Sequence, residues 1–386
     1  MQWDEEKAFS KLPWTDEFRS EFPTRQALSY LVDKDFEKLQ DFLFAEKLVD
    51  FRKAQLISHV LKNEIGIVKN DNEVILTINL PIGEFKCVNC KRCFYRQDKQ
   101  AETRAYLNAL YKEIEQLRDI IKRNCYFVKA LCYSGNLLAL TESDIQELLS
   151  MCEFPLSEIN VEVDNPLFIT KEKLAILKKF GVERLICNIM SFNTVTLRKL
   201  CRHYEFKDIY PAFKWIAEFG FEVSFGLVIG FETEQELQIK RNINLAAELG
   251  ASSIELYSRF CPYETEINSL TLPCDIALQR KNLTFAYDEM SRLGFIPYFL
   301  YCTEVESGCF ENVGYALSNR KNKYLEDKRM GISTELACGC DVKTLVKKHF
   351  TNQQVEVTSD FDMMEYVKNI DSILNKKREK LLQYTV

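Results

Sequence analysis

From residue 73 onward, short apolar runs alternate with longer segments whose apolar positions recur every three to four residues, the signatures of buried strands and amphipathic helices. The strands are predicted at 74–80, 126–132, 158–163, 184–189, 222–229 and 253–257. Helices fill the intervals at 100–121, 141–151, 170–180, 193–200, 208–219 and 234–249. Thr141-Glu142-Ser143-Asp144 is a helix-start signal, and Gly181, Gly220 and Gly250 stop three of the helices. Six strands in strict βα order imply a parallel sheet with right-handed crossovers. Six units are too few for an eight-fold barrel, so the fold class expected is α/β, a partial (β/α)6 TIM-like barrel with ligands at the strand C-terminal ends.

The flanks read differently. Residues 1–70 are charged, with helical periodicity at 25–44 and 48–61, and form an expected N-terminal helical appendage. After the barrel at 71–262 the order loosens into an α+β C-terminal region, 263–386. There a helix at 277–293 and an apolar run at 297–301 precede a mixed stretch, and a charged helix at 363–382 closes the chain.

Composition narrows the function. Of 386 residues 46% are apolar and 28% charged, enough for a real core. Net charge is −6 and no basic block occurs, which argues against nucleic acid as a partner. No apolar run reaches the roughly 18 residues a membrane span needs, and the acidic start has no signal-peptide core, so a soluble, cytoplasmic protein is expected.

Fourteen cysteines in a large core-forming chain read as reduced thiols rather than a disulfide framework. Cys87, Cys90 and Cys93 stand apart, as Cys-Val-Asn-Cys-Lys-Arg-Cys directly after the first strand. Such spacing brings three thiolates onto one loop, as an iron–sulfur cluster requires. A zinc knuckle is the alternative, although a structural zinc site calls for a fourth Cys or His nearby. Cys338-Gly339-Cys340 is a second candidate pair, and the other nine cysteines read as core.

A three-cysteine loop after strand one resembles the radical S-adenosylmethionine (SAM) enzymes, and from about Leu76 to Lys377 the chain resembles the oxygen-independent coproporphyrinogen III oxidases. The subgroup of coproporphyrinogen dehydrogenases is the nearer likeness. Matching segments are Glu162-Val-Asp-Asn-Pro166, Gly181-Val-Glu-Arg-Leu185, Ser191-Phe-Asn193, Leu200-Cys-Arg-His203, Leu227-Val-Ile-Gly-Phe-Glu-Thr-Glu234, Pro297-Tyr-Phe-Leu-Tyr301 and Glu311-Asn-Val-Gly-Tyr-Ala316. The resemblance implies an oxidoreductase of haem biosynthesis that converts substrate propionates to vinyl groups, giving protoporphyrinogen IX. Implied cofactors are a 4Fe–4S cluster on Cys87, Cys90 and Cys93, and S-adenosylmethionine contacted by Gly135, Asn136, Glu162, Ser191 and Arg202. Implied partners are a tetrapyrrole substrate and an electron donor such as flavodoxin or ferredoxin. One branch of the superfamily binds or transfers haem, so a haem- or porphyrin-binding protein is the alternative, beside a radical enzyme with another substrate.

The departures define a divergent member. Thr77 and Asn79 stand at the family's tyrosine and histidine, Met190 at a glutamine, Gly226 at an aspartate and Cys302-Thr303 at an arginine–glutamine pair. The glycine-rich turn after strand two is reduced to Ser134-Gly135-Asn136. If Pro81 is aligned, Gly83 falls on the first cysteine; the frame with Cys87, Cys90 and Cys93 is preferred because it supplies three thiolates.

Overall fold

Six parallel strands and their returning helices make the central arc of the sheet in the computed structural model. It describes residues 72–82, 100–152, 154, 158–231, 234–258, 276–305, 308–348, 353–359 and 362–383. The order is β1 (Glu73–Leu80), α1 (Gln100–Arg123), β2 (Phe127–Gly135), α2 (Glu142–Met151), β3 (Ile159–Val163), α3 (Lys171–Lys179), β4 (Arg184–Met190), α4 (Thr194–Lys199), α5 (Phe206–Glu218), β5 (Glu222–Ile229), α6 (Glu236–Glu248) and β6 (Ala251–Ser258). Each strand pairs in parallel with the next. Thr141 caps α2 by accepting from Asp144 N at 3.2 Å, as the sequence signal predicts. Apolar residues such as Leu107, Leu110 and Ile114 of α1 cover the outer face.

The remaining elements are α7 (Ile276–Arg292), β7 (Ile296–Val305), β8 (Gly308–Ala316), α8 (Lys323–Met330), β9 (Thr334–Cys338), β10 (Val342–Lys348), β11 (Gln353–Ser359) and α9 (Met363–Gln383). Their strands extend the same sheet at both margins, in the order β11-β10-β9-β1-β2-β3-β4-β5-β6-β8-β7. β9 runs parallel to β1, whereas β8 is antiparallel to β6. The mixed stretch before Gly339 therefore resolves into β8, α8 and β9. The appendage expected at 1–70 lies outside the described residues. No described helix is long and apolar enough to cross a membrane.

α8 gives the barrel its floor. Arg184, at the start of β4, donates to Arg320 O and Lys321 O at 3.2 Å each, fixing the entry to α8 at the N-terminal ends of the strands. Tyr324 N then donates to Glu158 Oε1 at 3.3 Å, and Tyr324 Oη lies 2.8 Å from Thr77 Oγ1. Lys328 reaches Glu335 Oε1 at 2.7 Å and Arg329 reaches Glu255 Oε1 at 2.9 Å. The helix thus touches β1, β6, β9 and the residue that precedes β3 from the concave side, where Lys328 and Arg329 each meet a carboxylate.

Two of the cysteines read as core are not: Cys125 is exposed, and Cys201 is half-buried. Both have positive φ (51° and 55°) just after helix ends, where the chain turns at the surface.

Candidate functional site

The C-terminal rim of the arc gathers three of the sequence-predicted residues at the exit of β1. Glu162, on β3, accepts at Oε2 from Gly135 N at 2.8 Å and Ser134 Oγ at 2.7 Å. Its Oε1 makes no bond among the described residues. Gly135 adopts φ +85°, and a Cβ there would overlap Leu80 O and lie 2.9 Å from Leu80 C. Only glycine allows this approach of β2 to the end of β1. Asn136 N donates to Leu80 O at 3.0 Å. The Asn136 side chain is 3% exposed, and its Oδ1 is buried without a hydrogen-bond partner among the described residues. Gly135 and Glu162, both expected to contact S-adenosylmethionine, contact each other, so the backbone N–H is committed and the second carboxylate oxygen remains.

The other two predicted residues lie on neighbouring exits. Arg202 donates from Nη1 to Asp164 O at 2.7 Å and Tyr204 Oη at 3.1 Å, tying down the segment that follows β3. Ser191 is fully buried. It donates to Glu234 Oε1, accepts from Asn193 N at 2.9 Å, and binds Asn242 Nδ2 at 3.2 Å. Glu234 also accepts from Thr196 Oγ1 at 2.7 Å and Asn242 Nδ2 at 2.8 Å. Burial pushes the Glu234 carboxyl above the usual range, while the bonds from Ser191, Thr196 and Asn242 pull it back. This knot joins the exits of β4 and β5.

Cys87, Cys90 and Cys93 lie outside the described residues. Cys338 and Cys340 are described and buried, on a turn held against the end of β1: Asn79 Nδ2 donates to Cys340 O at 2.8 Å. Burial pushes the Cys340 thiol up to about 12, so it is held protonated, unlike a metal-ligating thiolate. The described residues contain no cluster of three or more His, Cys, Asp or Glu side chains that could hold a metal.

The departures from the family pattern have structural partners. Thr77 Oγ1 donates to Glu335 Oε1 at 2.6 Å, so both unusual β1 side chains, Thr77 and Asn79, are tied to β9 or the turn after it. At Gly226 a Cβ would overlap Asn188 Oδ1 and lie 2.9 Å from Tyr257 Cε2. The space of the family's aspartate is filled by the side chains of two neighbouring strands.

A second inward-facing cluster was not singled out from sequence. Glu255 accepts from Tyr257 Oη and Tyr301 Oη, each at 2.8 Å, and from Arg329 Nε at 2.9 Å and Nη2 at 3.4 Å. Tyr301 belongs to a segment quoted for its family likeness, but nothing local signals that Arg329 would meet it.

The residues at the β1 exit fit the methionine end of S-adenosylmethionine. A carboxylate oxygen is available for an ammonium group, a buried amide oxygen lacks a donor, and backbone bared by glycine lies beside both.

Residues 87–243 match the Radical SAM superfamily. Over 352 residues the chain is 22% identical to the oxygen-independent coproporphyrinogen-III oxidase-like protein HemZ of Bacillus subtilis, covering 87% of this chain and 70% of that protein. Over 190 residues it is 32% identical to the heme chaperone HemW of the same organism, covering 47% of this chain and 49% of HemW. Among solved structures, coproporphyrinogen III oxidase (HemN) from Escherichia coli, a radical SAM enzyme, superposes with a TM-score of 0.59 at 16% identity. That match covers 83% of this chain and 72% of HemN, and places the partial barrel in the same fold.

Proposed function

We propose that this chain, a divergent member of the radical SAM superfamily with a 4Fe–4S cluster and S-adenosylmethionine as its cofactors, oxidatively decarboxylates propionate groups of a porphyrinogen to vinyl groups. The observation that carries the reading is the Glu162 carboxylate of β3, fixed by Gly135 and Ser134 of β2 next to the end of β1, the strand that the three cysteines follow in sequence.

In this reading Cys87, Cys90 and Cys93 would hold the iron–sulfur cluster through three thiolates. Glu162 takes the ammonium group of S-adenosylmethionine through its free oxygen, Asn136 Oδ1 accepts from the same end, and Arg202 holds the β3 exit in place. When bound, the cluster and the sulfonium supply a carbon-centred radical able to take hydrogen from an unactivated carbon. The propionate β-carbon gives up that hydrogen atom, the bond to the carboxylate breaks with loss of carbon dioxide, and one electron leaves to an acceptor. A reduced flavodoxin or ferredoxin delivers the initiating electron. With α8 as a floor, substrate enters from the C-terminal side of the strands. Reduced, buried thiols suit a cytoplasmic location.

A second reading, a porphyrin- or haem-binding protein on the same fold, is supported by the commitment of Thr77 and Asn79 to β9 and its turn, by the filled space at Gly226, and by the HemW likeness. Anaerobic cluster reconstitution followed by reduction, with coproporphyrinogen present, separates the two. The proposed activity yields 5′-deoxyadenosine and vinyl product together. A full cluster with no deoxyadenosine overturns the enzyme and leaves the binding protein, while deoxyadenosine without vinyl product means another substrate.

A further inference from the structure

The cluster around Glu255 has a property that the site at β1 lacks. All four donors to this carboxylate come from Tyr257, Tyr301 and Arg329, so its lone pairs are used. The Glu255 side chain is only 3% accessible, whereas that of Arg329 is 28% accessible. The guanidinium is fixed on one edge by Glu255, with Nη2 also donating to Tyr257 Oη at 3.2 Å. It lies 5.1 Å from the ring centre of Tyr301 and 5.9 Å from that of Tyr257. Nη1 makes no bond among the described residues. The other inward cations are more heavily engaged. Lys328 bonds Glu335, Thr77 and Tyr324, and Arg184 is buried against Ser252 and the 320–321 carbonyls.

The register locates this group. Glu162 pairs with Ile186, Ile186 with Ser224, and Ser224 with Ser253, so Glu255 is the next inward residue toward the mouth, three strands round the arc. A planar cation whose geometry is already fixed loses little freedom on binding a carboxylate, and a fork-shaped donor matches that anion.

We propose that Arg329 anchors a carboxylate of the substrate inside the barrel, with Glu255 and the two tyrosines as the residues that position it. The assignment rests on the tetrapyrrole reading, which requires a polycarboxylate ligand, and names the group that would receive it.

The test is equilibrium titration of the cluster-reconstituted full chain with coproporphyrin III and with its tetramethyl ester. Arg329→Met weakens binding of the acid about tenfold to a hundredfold, the value of a charge-assisted bond, and leaves the ester unchanged. Arg329→Lys loses less. Glu255→Gln removes the competing anion and tightens the acid by roughly threefold to tenfold. If Arg329→Met does not fold, by near-ultraviolet circular dichroism, the lysine and Glu255→Gln arms decide: opposite signs support the assignment and a common loss overturns it. Unchanged acid affinity in Arg329→Met overturns it too, as does equal weakening of acid and ester, and either leaves the tetrapyrrole reading standing. A wild-type chain that binds neither porphyrin overturns both.

Discussion

Lys377 and Glu113 form an ion pair sealed from solvent, Nζ 2.6 Å from Oε1, which ties α9 to α1 across 264 residues of chain. Glu113 Oε2 also accepts from Gly339 N at 2.8 Å and Tyr366 Oη at 2.6 Å, and Lys377 donates to Ala337 O. Burial disfavours the Lys377 ammonium, yet the neighbouring Glu113, with Cys338, raises its pKa above the usual lysine value. Lys377→Met is expected to cost about 3–5 kcal/mol, because it strands a buried carboxylate. Adding Glu113→Gln recovers more than half, since glutamine still accepts from Gly339 and Tyr366 while its amide can donate to Ala337 O. Urea unfolding of the single and double variants measures this, and equal losses in both would refute the charge argument.

Glu162→Gln keeps the bonds from Ser134 and Gly135 on its carbonyl oxygen but turns an amide toward the ligand. A charge-assisted bond of roughly 1.5–3 kcal/mol is exchanged for one of roughly 0.5–1.5 kcal/mol. S-adenosylmethionine affinity should fall about fivefold to a hundredfold, with iron content unchanged. Titration beside an iron assay checks both, and unchanged affinity would leave Glu162 a structural tie for β2 and β3.

The cysteine frame is tested by metal content. Cys93→Ala is expected to lose the 4Fe–4S spectrum as completely as Cys87→Ala or Cys90→Ala, because a cluster with one open iron needs three thiolates. A full spectrum in Cys93→Ala would favour the frame that places Gly83 on the first cysteine and the third ligand elsewhere.

Gly226→Asp, which restores the family's residue, should destabilise by about 1–3 kcal/mol, since Asn188 and Tyr257 occupy the space. In an Asn188→Ala background the same change should cost at most half as much. The coupling, of the order of 1 kcal/mol, is read from a thermal-melt double-mutant cycle. Additive losses would mean that Asn188 is not what excludes the aspartate.

The arc of β1–β6 was legible because parallel strands buried on both faces read as short apolar runs, and helices such as α2 and α3 carry their own start signals. Glu162 is read from its place at a strand end and Gly135 and Asn136 from the likeness to the family's turn after strand two, and the structure brings Glu162 and Gly135 into contact. β2 was harder to delimit: it runs on through Ser134 and Gly135, residues that read as a turn. α8 was hidden for a different reason. Lys323, Glu326, Asp327, Lys328 and Arg329 make it look like a surface helix, although Asp327 is almost fully buried and Lys328 and Arg329 meet carboxylates from distant strands. Local periodicity carries no information about such partners. The bond of Thr77 to Glu335 spans 258 residues, and nothing near either residue announces it.

That span also orders events during synthesis. β1, the strand that precedes the three cysteines in sequence, lies between β2 and β9, so one of its two neighbours is made only after β2–β8. A nascent chain released as far as β6 has made the three cysteines, which follow in sequence a strand with an open edge, and the Cys338–Cys340 turn that abuts the end of that strand is not yet made. Closing that edge is a contact of long sequence separation and correspondingly slow to form. Metal delivered to the unfinished chain meets thiols next in sequence to a half-paired strand, whereas metal delivered after release meets them beside a strand held on both sides.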